Sequence, residues 1–282
     1  MTRVWAFLFG QADAWARLAL VRIGLGTIVA VLLAFGPYDR FFVDFADDLY
    51  APLPWLPRLG AGYLALRALA VTSALAFAAG LVTRASNLVA ALSFLALNAY
   101  VARFAPEPWG YTTHLNFFLF ATCAVDTGRA LSLDALRRAP RPPTPLERET
   151  ASFVVAFMQL FVGVLYWQSG VSKLLRVGPE WFLTGRTLWV FTVAEGTDFG
   201  RALTRWPWLF RAGTLSAGAF ELGFLLLVPF RRAHAALALS ALAFHGATLA
   251  LLGISFWHLS LLVPLLFWPL PARVTARLDP RA

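Results

Sequence analysis

A lysine, a glutamate and three histidines stand in or beside apolar runs of this chain, and they are the side chains best placed to do chemistry. Lys173 lies near the end of a hydrophobic run that begins at Ala151, in the stretch YWQSGVSKLL (166–175). Glu221 sits in FELGF (220–224), His245 in LAFHG (243–247), His114 follows YTT, and His258 follows Trp257. An ionisable group at the centre of a membrane segment costs about 2.5–3.5 kcal/mol on insertion scales, so its presence calls for a function or a partner. A lysine short of water can serve as a general base. Counting back from Lys173 by three, four and seven positions reaches Gly170, Ser169 and Tyr166. One helical face therefore carries small and polar groups beside the ammonium. Such a face admits a second helix or a flat ligand. Position alone equally allows the lysine to snorkel to the headgroups.

The other groups carry comparable alternatives. Glu221 follows Thr214, Ala217 and Gly218 on one face, and His245 follows His234, Ala238 and Ala241 on another. Both stripes suit helix packing, so a buried Glu–His or Glu–Arg pair with a purely structural role competes with a functional one. His114 is placed for capping or hydrogen bonding, and His258 for an interfacial role beside Trp257. His114, His245 and His258 show no His-x-x-x-His or His–Glu spacing, so no metal site is expected of them. The chain has no phosphate-binding glycine loop, G-x-S-x-G elbow or dinucleotide fingerprint, which leaves ATP-driven and hydrolytic readings without support. Its single cysteine, Cys123, excludes an internal disulfide and a Cys-x-x-Cys redox pair.

The elements that must hold these groups are membrane helices. Of 282 residues, 59% are hydrophobic and 14% charged, against roughly 25% charged in ordinary soluble domains. Runs of about 20 apolar residues place eight segments at 18–36, 62–82, 86–104, 114–126, 151–174, 213–230, 233–252 and 254–270, the fourth of them short. MTRVWAFLFGQADAWA reads as an interfacial amphipathic helix anchored by Trp5, Phe7, Phe9 and Trp15 rather than as a signal peptide. RRAPRPPTPLERE (137–149) is a loop, with Thr144 or Thr150 available to start the next helix. The net charge of +9 resides mainly in short loops, where it orients a membrane protein and meets anionic lipid; nucleic acid is not an expected partner. Thirteen arginines fall at the termini and in the loops that share their side, against Arg40, Arg58 and Arg103 in the opposite short loops. The expectation is cytoplasmic termini in the cell (inner) membrane, with Lys173, His114, Glu221, His245 and His258 all toward the outer side.

The same residues carry a family resemblance. LALVRIGLG (18–26), TTH (112–114), YWQSGVSKL (166–174) with EWFLTG (180–185), FELGF and LAFHG occur in an order that resembles the horizontally transferred transmembrane (HTTM) family, which includes the membrane domain of vitamin K-dependent gamma-carboxylase. The resemblance covers roughly residues 15–270. It implies that Lys173 is the base that starts oxygenation of a reduced quinone of the vitamin K hydroquinone type. The strong base so formed would take a proton from a glutamyl gamma carbon, which then adds carbon dioxide. It further implies that His114 assists the glutamyl chemistry and that His245 belongs to the cavity. Tyr166, Gly170, Glu221 and His258 are the expected remainder of the cofactor site. The chain departs from the family at Ser172, often basic there, and at Thr113, often Asn there. It also offers no counterpart of the carboxylase's large luminal region. A quinol is therefore better supported than a glutamyl substrate.

The fold class expected is all-α, a single HTTM-like domain of about eight spans with an outward-facing polar cavity. The function expected is a carboxylase-like membrane enzyme using a quinol for oxygenation, with or without carboxylation. Membrane lipids, a quinone, and a peptide or protein substrate are the partners implied. The alternative is a non-catalytic HTTM protein acting in peptide maturation or in lipid or peptide binding; a small-solute transporter, lacking any visible inverted repeat, ranks below both. Reporter fusions test the orientation. A fusion after Arg141 should be active only as a cytoplasmic reporter and one after Gly200 only as a periplasmic reporter; the reverse pattern overturns the placement of the polar groups.

Overall fold

The computed structural model describes residues 3–36, 61–104, 106–139 and 141–278; Arg40, Arg58 and Arg281, counted above, lie outside them. Regular structure among the described residues is helical throughout. In chain order come α1 (Arg3–Phe9), α2 (Ala14–Phe35), α3 (Ala61–Ala79), α4 (Thr83–Phe104) and α5 (Pro106–Cys123). Next are α6 (Leu133–Arg137), α7 (Pro145–Val177), α8 (Glu180–Thr184), α9 (Arg186–Glu195) and α10 (Asp198–Leu203). The chain continues through α11 (Pro207–Leu227), α12 (His234–Leu252), α13 (Trp257–Phe267) and α14 (Ala272–Leu278). Among the described residues five helices are long and apolar enough to cross a membrane: α2, α3, α7, α11 and α12, with α13 a shorter apolar helix. This is an all-α, multi-span membrane protein. The segment expected at 114–126 begins earlier, because Pro106 opens an 18-residue helix at the one position where a helix readily accepts proline. The 175–212 excursion is not an open loop; it folds into α8, α9 and α10 before α11 starts at Pro207.

The chain divides into two compact units, Leu8–Val155 with Leu270–Ala282, and Met1–Phe7 with Ala156–Pro269. In the first, α2 and α3 form a pair in which each helix supplies an arginine to the C-terminus of the other. The last carbonyls of a helix have no partner inside it. Arg22 of α2 donates from Nη1 to the Phe77 and Ala78 oxygens, at 3.2 and 3.0 Å, in the last turn of α3. Its Nη2 donates to the Ala130 and Leu131 oxygens. Arg67 of α3 donates from Nε to the Leu33 oxygen at 2.6 Å and from Nη2 to the Ala34 oxygen at 3.1 Å, in the last turn of α2. Gly80 has φ +69°, and a Cβ there would overlap the Arg22 guanidinium, so both conformation and space require glycine. Gly26 lets α2 approach the Ala74 and Ala78 backbone of α3.

Helix starts in this unit are fixed from a distance as well as locally. Asp134 accepts from the Val82 and Thr83 amides (3.0 and 2.7 Å) and from the Thr83 hydroxyl (2.8 Å), which caps α4 from 51 residues downstream of Thr83. Thr144 is the residue that starts α7. Its hydroxyl accepts from the Glu147 amide while Glu147 accepts from the Thr144 amide, a reciprocal cap with Pro145 at the first helical position. Hydrogen bonds from Arg141 and from the Thr144 amide, with Arg129 nearby, hold the Glu147 carboxyl down at about 2. Between α4 and α5, Asn87 donates to Thr122 at 3.1 Å and Thr112 donates to Asn98 at 3.2 Å.

In the second unit, residues 156–177 of α7 pack with α11 through glycines. A Cβ at Gly163 would press on Leu225 and Val228, and one at Gly170 on Leu222 and Glu221. Seven residues apart, the two glycines share a face and bring the backbones close. α8 is pinned to α11 where the Thr214 hydroxyl donates to the Phe182 oxygen at 2.8 Å and the Phe182 ring lies on Gly218. α10 is pinned to α12 where the Thr197 amide and hydroxyl donate to the Leu251 and Ala250 oxygens. Gln159 donates to the Leu266 oxygen of α13 at 2.7 Å.

The arginine exchange of α2 and α3 has a measurable consequence. Arg22 is fully buried, and its removal leaves four carbonyl oxygens without their donor, the Phe77 oxygen in a buried setting and the other three in part-buried ones. Arg22→Leu should cost about 1–3 kcal/mol, the scale of leaving a buried acceptor unsatisfied, and Arg67→Leu less, because Arg22 is fully buried and makes four carbonyl bonds, whereas Arg67 makes two, one of them exposed. Thermal unfolding in detergent checks this; equal and small losses for both variants would contradict the role given to Arg22.

Candidate functional site

The candidate site lies in the second unit, in a cavity of about 420 Å³. Its walls are mostly apolar, from α7, α8, α9, α11, α12, the chain entering α13 and α13 itself, and one strip of them is polar. α7 presents Tyr166, Ser169 and Lys173 along two turns, the spacing at which side chains share a helix face. α11 brings Glu221 opposite the lower of those turns, and α12 brings His245 opposite Tyr166.

At one end of the strip Lys173 Nζ is in a salt bridge with Glu221 Oε1. Ser169 completes the cluster: Nζ donates to the Ser169 oxygen at 3.1 Å, and the Ser169 hydroxyl donates to Glu221 Oε1 at 2.9 Å. The Glu221 side chain is 1% exposed and the Lys173 side chain 25% exposed. Glu221 is thus the buried counter-ion, and Lys173 is the more open of the two charged groups that line the cavity. Trp181 of α8 lies 4.9 Å from Nζ, measured to the ring centre, a cation–π contact that shields the ammonium on another side. Glu221 Oε2 is buried and has no hydrogen-bond partner among the described residues. In this cluster the ammonium of Lys173 is turned to the Glu221 carboxylate.

At the other end, the Tyr166 oxygen and His245 Nε2 share a hydrogen bond of 2.7 Å. Aromatic rings enclose this pair; Phe220 and Phe224 lie 4.7 and 4.8 Å from the Tyr166 ring, and Phe256 lies 5.3 Å from the His245 ring. His245 Nδ1 is buried and has no hydrogen-bond partner among the described residues. A buried polar atom without a partner costs about 1–3 kcal/mol, so each end of the strip keeps one atom in need of a ligand or a water.

Of the residues singled out in the sequence, Tyr166, Lys173, Glu221 and His245 line this one cavity. Gly170 serves it from behind, because the absence of a Cβ lets Glu221 stand next to α7. His258 is buried on α13 and is not part of the lining of this cavity. His114 belongs to the first unit, buried on α5 with its ring edge-on to Phe118 at 6.0 Å. Among the described residues no three of His, Cys, Asp and Glu gather as metal ligands. Sequence reasoning missed Trp181 and gave Ser169 no role. Trp181 stands in EWFLTG, but nothing in that stretch shows that α8 folds back over Lys173.

Comparison of the chain with models of protein families, with curated proteins and with solved structures finds no match to any of them. The chemistry of the site therefore rests on its own geometry. A lysine and a glutamate of opposite charge make the polar end neutral overall. Beside apolar walls, such a site favours an uncharged amphipathic molecule with hydroxyl or carbonyl groups over a free anion.

Proposed function

We propose that the protein is a carboxylase-like membrane enzyme of the HTTM type that binds a reduced quinone in this cavity and uses Lys173 as the base that starts its oxygenation. The observation that carries the reading is the Lys173–Glu221 pair standing in an otherwise apolar cavity. The residues fit such a group: the apolar walls suit a ring and tail, and Lys173 and Tyr166 suit two hydroxyls. A bound quinol would supply the reducing electrons for dioxygen. About eight spans, cytoplasmic termini and an outward-facing cavity belong to the same proposal, with membrane lipid and quinone as the partners.

The chain's own part is to hold and move a proton. Lys173 Nζ is a base only after its proton has passed to Glu221 Oε1, which leaves an amine beside a carboxylic acid. In water that transfer is unfavourable. In a cavity of low polarity the charged pair loses much of its advantage, because burial penalises both ions. The amine can then take a proton from a hydroxyl lodged against it, while the apolar walls keep out competing water.

The pair also favours a second reading, a non-catalytic binder of lipid or peptide, because a lysine that stays protonated against Glu221 is a fixed structural charge. One experiment separates the two. Purified protein is extracted for bound quinone, and oxygen uptake is followed with a reduced naphthoquinone. The proposal expects a quinone to be retained, uptake above background, and an uptake at least about 100-fold lower in Lys173→Arg, the scale of general-base catalysis, with binding kept. Arginine preserves the charge but does not give up its proton. Binding without uptake in the wild type supports the non-catalytic reading, and no quinone binding at all overturns both the cofactor and the reaction.

A further inference from the structure

A second cluster of charge lies in the first unit, in the segment that joins α5 to α7. Three arginines, Arg129, Arg138 and Arg141, and one acid, Asp126, line a cavity of about 330 Å³, with glycine and alanine completing the lining. Carboxylates hold the arginines in place. Arg138 donates to Asp126 at 3.0 Å and to Asp134 at 3.4 Å. Arg141 donates to both oxygens of Glu147, at 3.2 and 2.6 Å, and Arg129 donates to the same carboxylate. The three acids also accept from backbone amides, those of Gly128, Thr83 and Thr144. Each arginine meanwhile spends only two of its five N–H groups on acceptors of this chain. The side chains of Arg138 and Arg141 are more than half exposed, so both keep donors for an acceptor from outside.

The helices that meet at this cluster set its depth. Arg129 lies over the ring of Trp15, 5.2 Å from its centre, in the first turn of α2, and pairs with Glu147 in the first turn of α7. Asp134 caps the start of α4, and α3 ends nearby at Ala79. Four long helices thus begin or end around the cavity, which puts it at the level of the lipid headgroups. Apolar side chains in the same stretch are exposed: Leu131, Leu133, Leu136 at 84% and Leu146 at 72%. Among the described residues, Val82 and Leu131 are the non-glycine residues with positive φ, at 45° and 49°. Both are exposed. Such a conformation ordinarily takes glycine or asparagine, and an exposed valine or leucine in it suits acyl chains better than water. We propose that this cavity binds an anionic phospholipid of the membrane, with its phosphate on Arg138 and Arg141 and its acyl chains against the exposed leucines. A guanidinium offers paired N–H donors that match phosphate oxygens. The leucines decide the source of the phosphate, since a free phosphate or a soluble phosphoester makes no use of an apolar rim. The headgroup carries no cation, because choline would bring a fourth positive charge to three arginines while Asp126 is already bonded to Arg138. The site is separate from the main cavity and does not depend on the reaction proposed there.

Native mass spectrometry of the purified protein in detergent, titrated with phosphatidylglycerol, phosphatidylcholine or inorganic phosphate, tests the site. The wild type should bind phosphatidylglycerol at least about tenfold more tightly than phosphatidylcholine, and inorganic phosphate at the same concentration should not displace it. Arg138→Gln combined with Arg141→Gln should weaken phosphatidylglycerol at least about tenfold, through the loss of charge-assisted hydrogen bonds. Arg232→Gln, at an exposed arginine between α11 and α12, should leave binding unchanged. Leu136→Ser should weaken the lipid and leave any binding of inorganic phosphate as it was. Unfolding without added lipid checks that the variants fold; should the double variant fail, Arg138→Lys, which keeps the charge without the paired donors, takes its place with the same direction expected. Equal affinity for the two lipids, equal losses at Arg232 and at the cavity arginines, displacement by inorganic phosphate, or a Leu136→Ser protein that binds lipid like the wild type would each overturn the proposal.

Discussion

A charged side chain inside an apolar helix bundle has little choice of partner, because the water that would otherwise surround it is absent and an isolated buried ion costs several kcal/mol. It must meet an opposite charge or a fan of carbonyl oxygens within its own reach. The second unit meets this requirement with Lys173 and Glu221, and the rest of its site follows from that pair. Gly170 and Gly163 are needed because α11 must come close enough to α7 for Glu221 to reach Lys173. Ser169 is needed to share Oε1 and hold the ammonium in register. α8 carries Trp181 over the lysine because Thr214 and Gly218 of α11 fix that short helix in place.

The first unit meets the same requirement by the other means. Arg22 and Arg67 have no acidic partner in the hydrogen bonds they make; they donate to carbonyls at the ends of α3 and α2. A guanidinium, with five donors in a planar fork, satisfies several carbonyls at once, which a lysine cannot do with its compact ammonium. By contrast with these arginines, which clasp helix ends, the intramembrane lysine is paired with a single carboxylate and is still partly open to a cavity.

Much of this was legible in the residues. Runs of about twenty apolar side chains mark the helices, because a bilayer leaves few alternatives for a chain with so little charge. The face of Lys173 could be counted off from helical spacing, and two of the three neighbours so found, Tyr166 and Ser169, share its cavity. Helix starts were less legible. PEPWGYTT looks like a loop because it is rich in proline and polar residues, and WPW because of its proline, yet Pro106 and Pro207 each stand at a helix start that tolerates them. The pairing of Lys173 with Glu221 was not legible at all, since 48 positions separate the two residues and either could have met a histidine or an arginine by composition. The cover of Trp181 was hidden for the same reason: it depends on how α8, α9 and α10 fold back on α11 and α12, and that is decided by threonine hydroxyls and glycines too common to stand out in a sequence.

The pair itself is most directly tested by a double-mutant cycle on folded stability. Lys173→Met and Glu221→Met each leave one buried charge without its partner. Each should lower stability in detergent by about 3 kcal/mol, toward the lower end for a broken buried pair because Lys173 is partly exposed. The double variant, with no buried charge left, should be more stable than either single one. Losses that simply add in the double variant would show that Lys173 and Glu221 do not depend on each other, and the account of this site would be wrong.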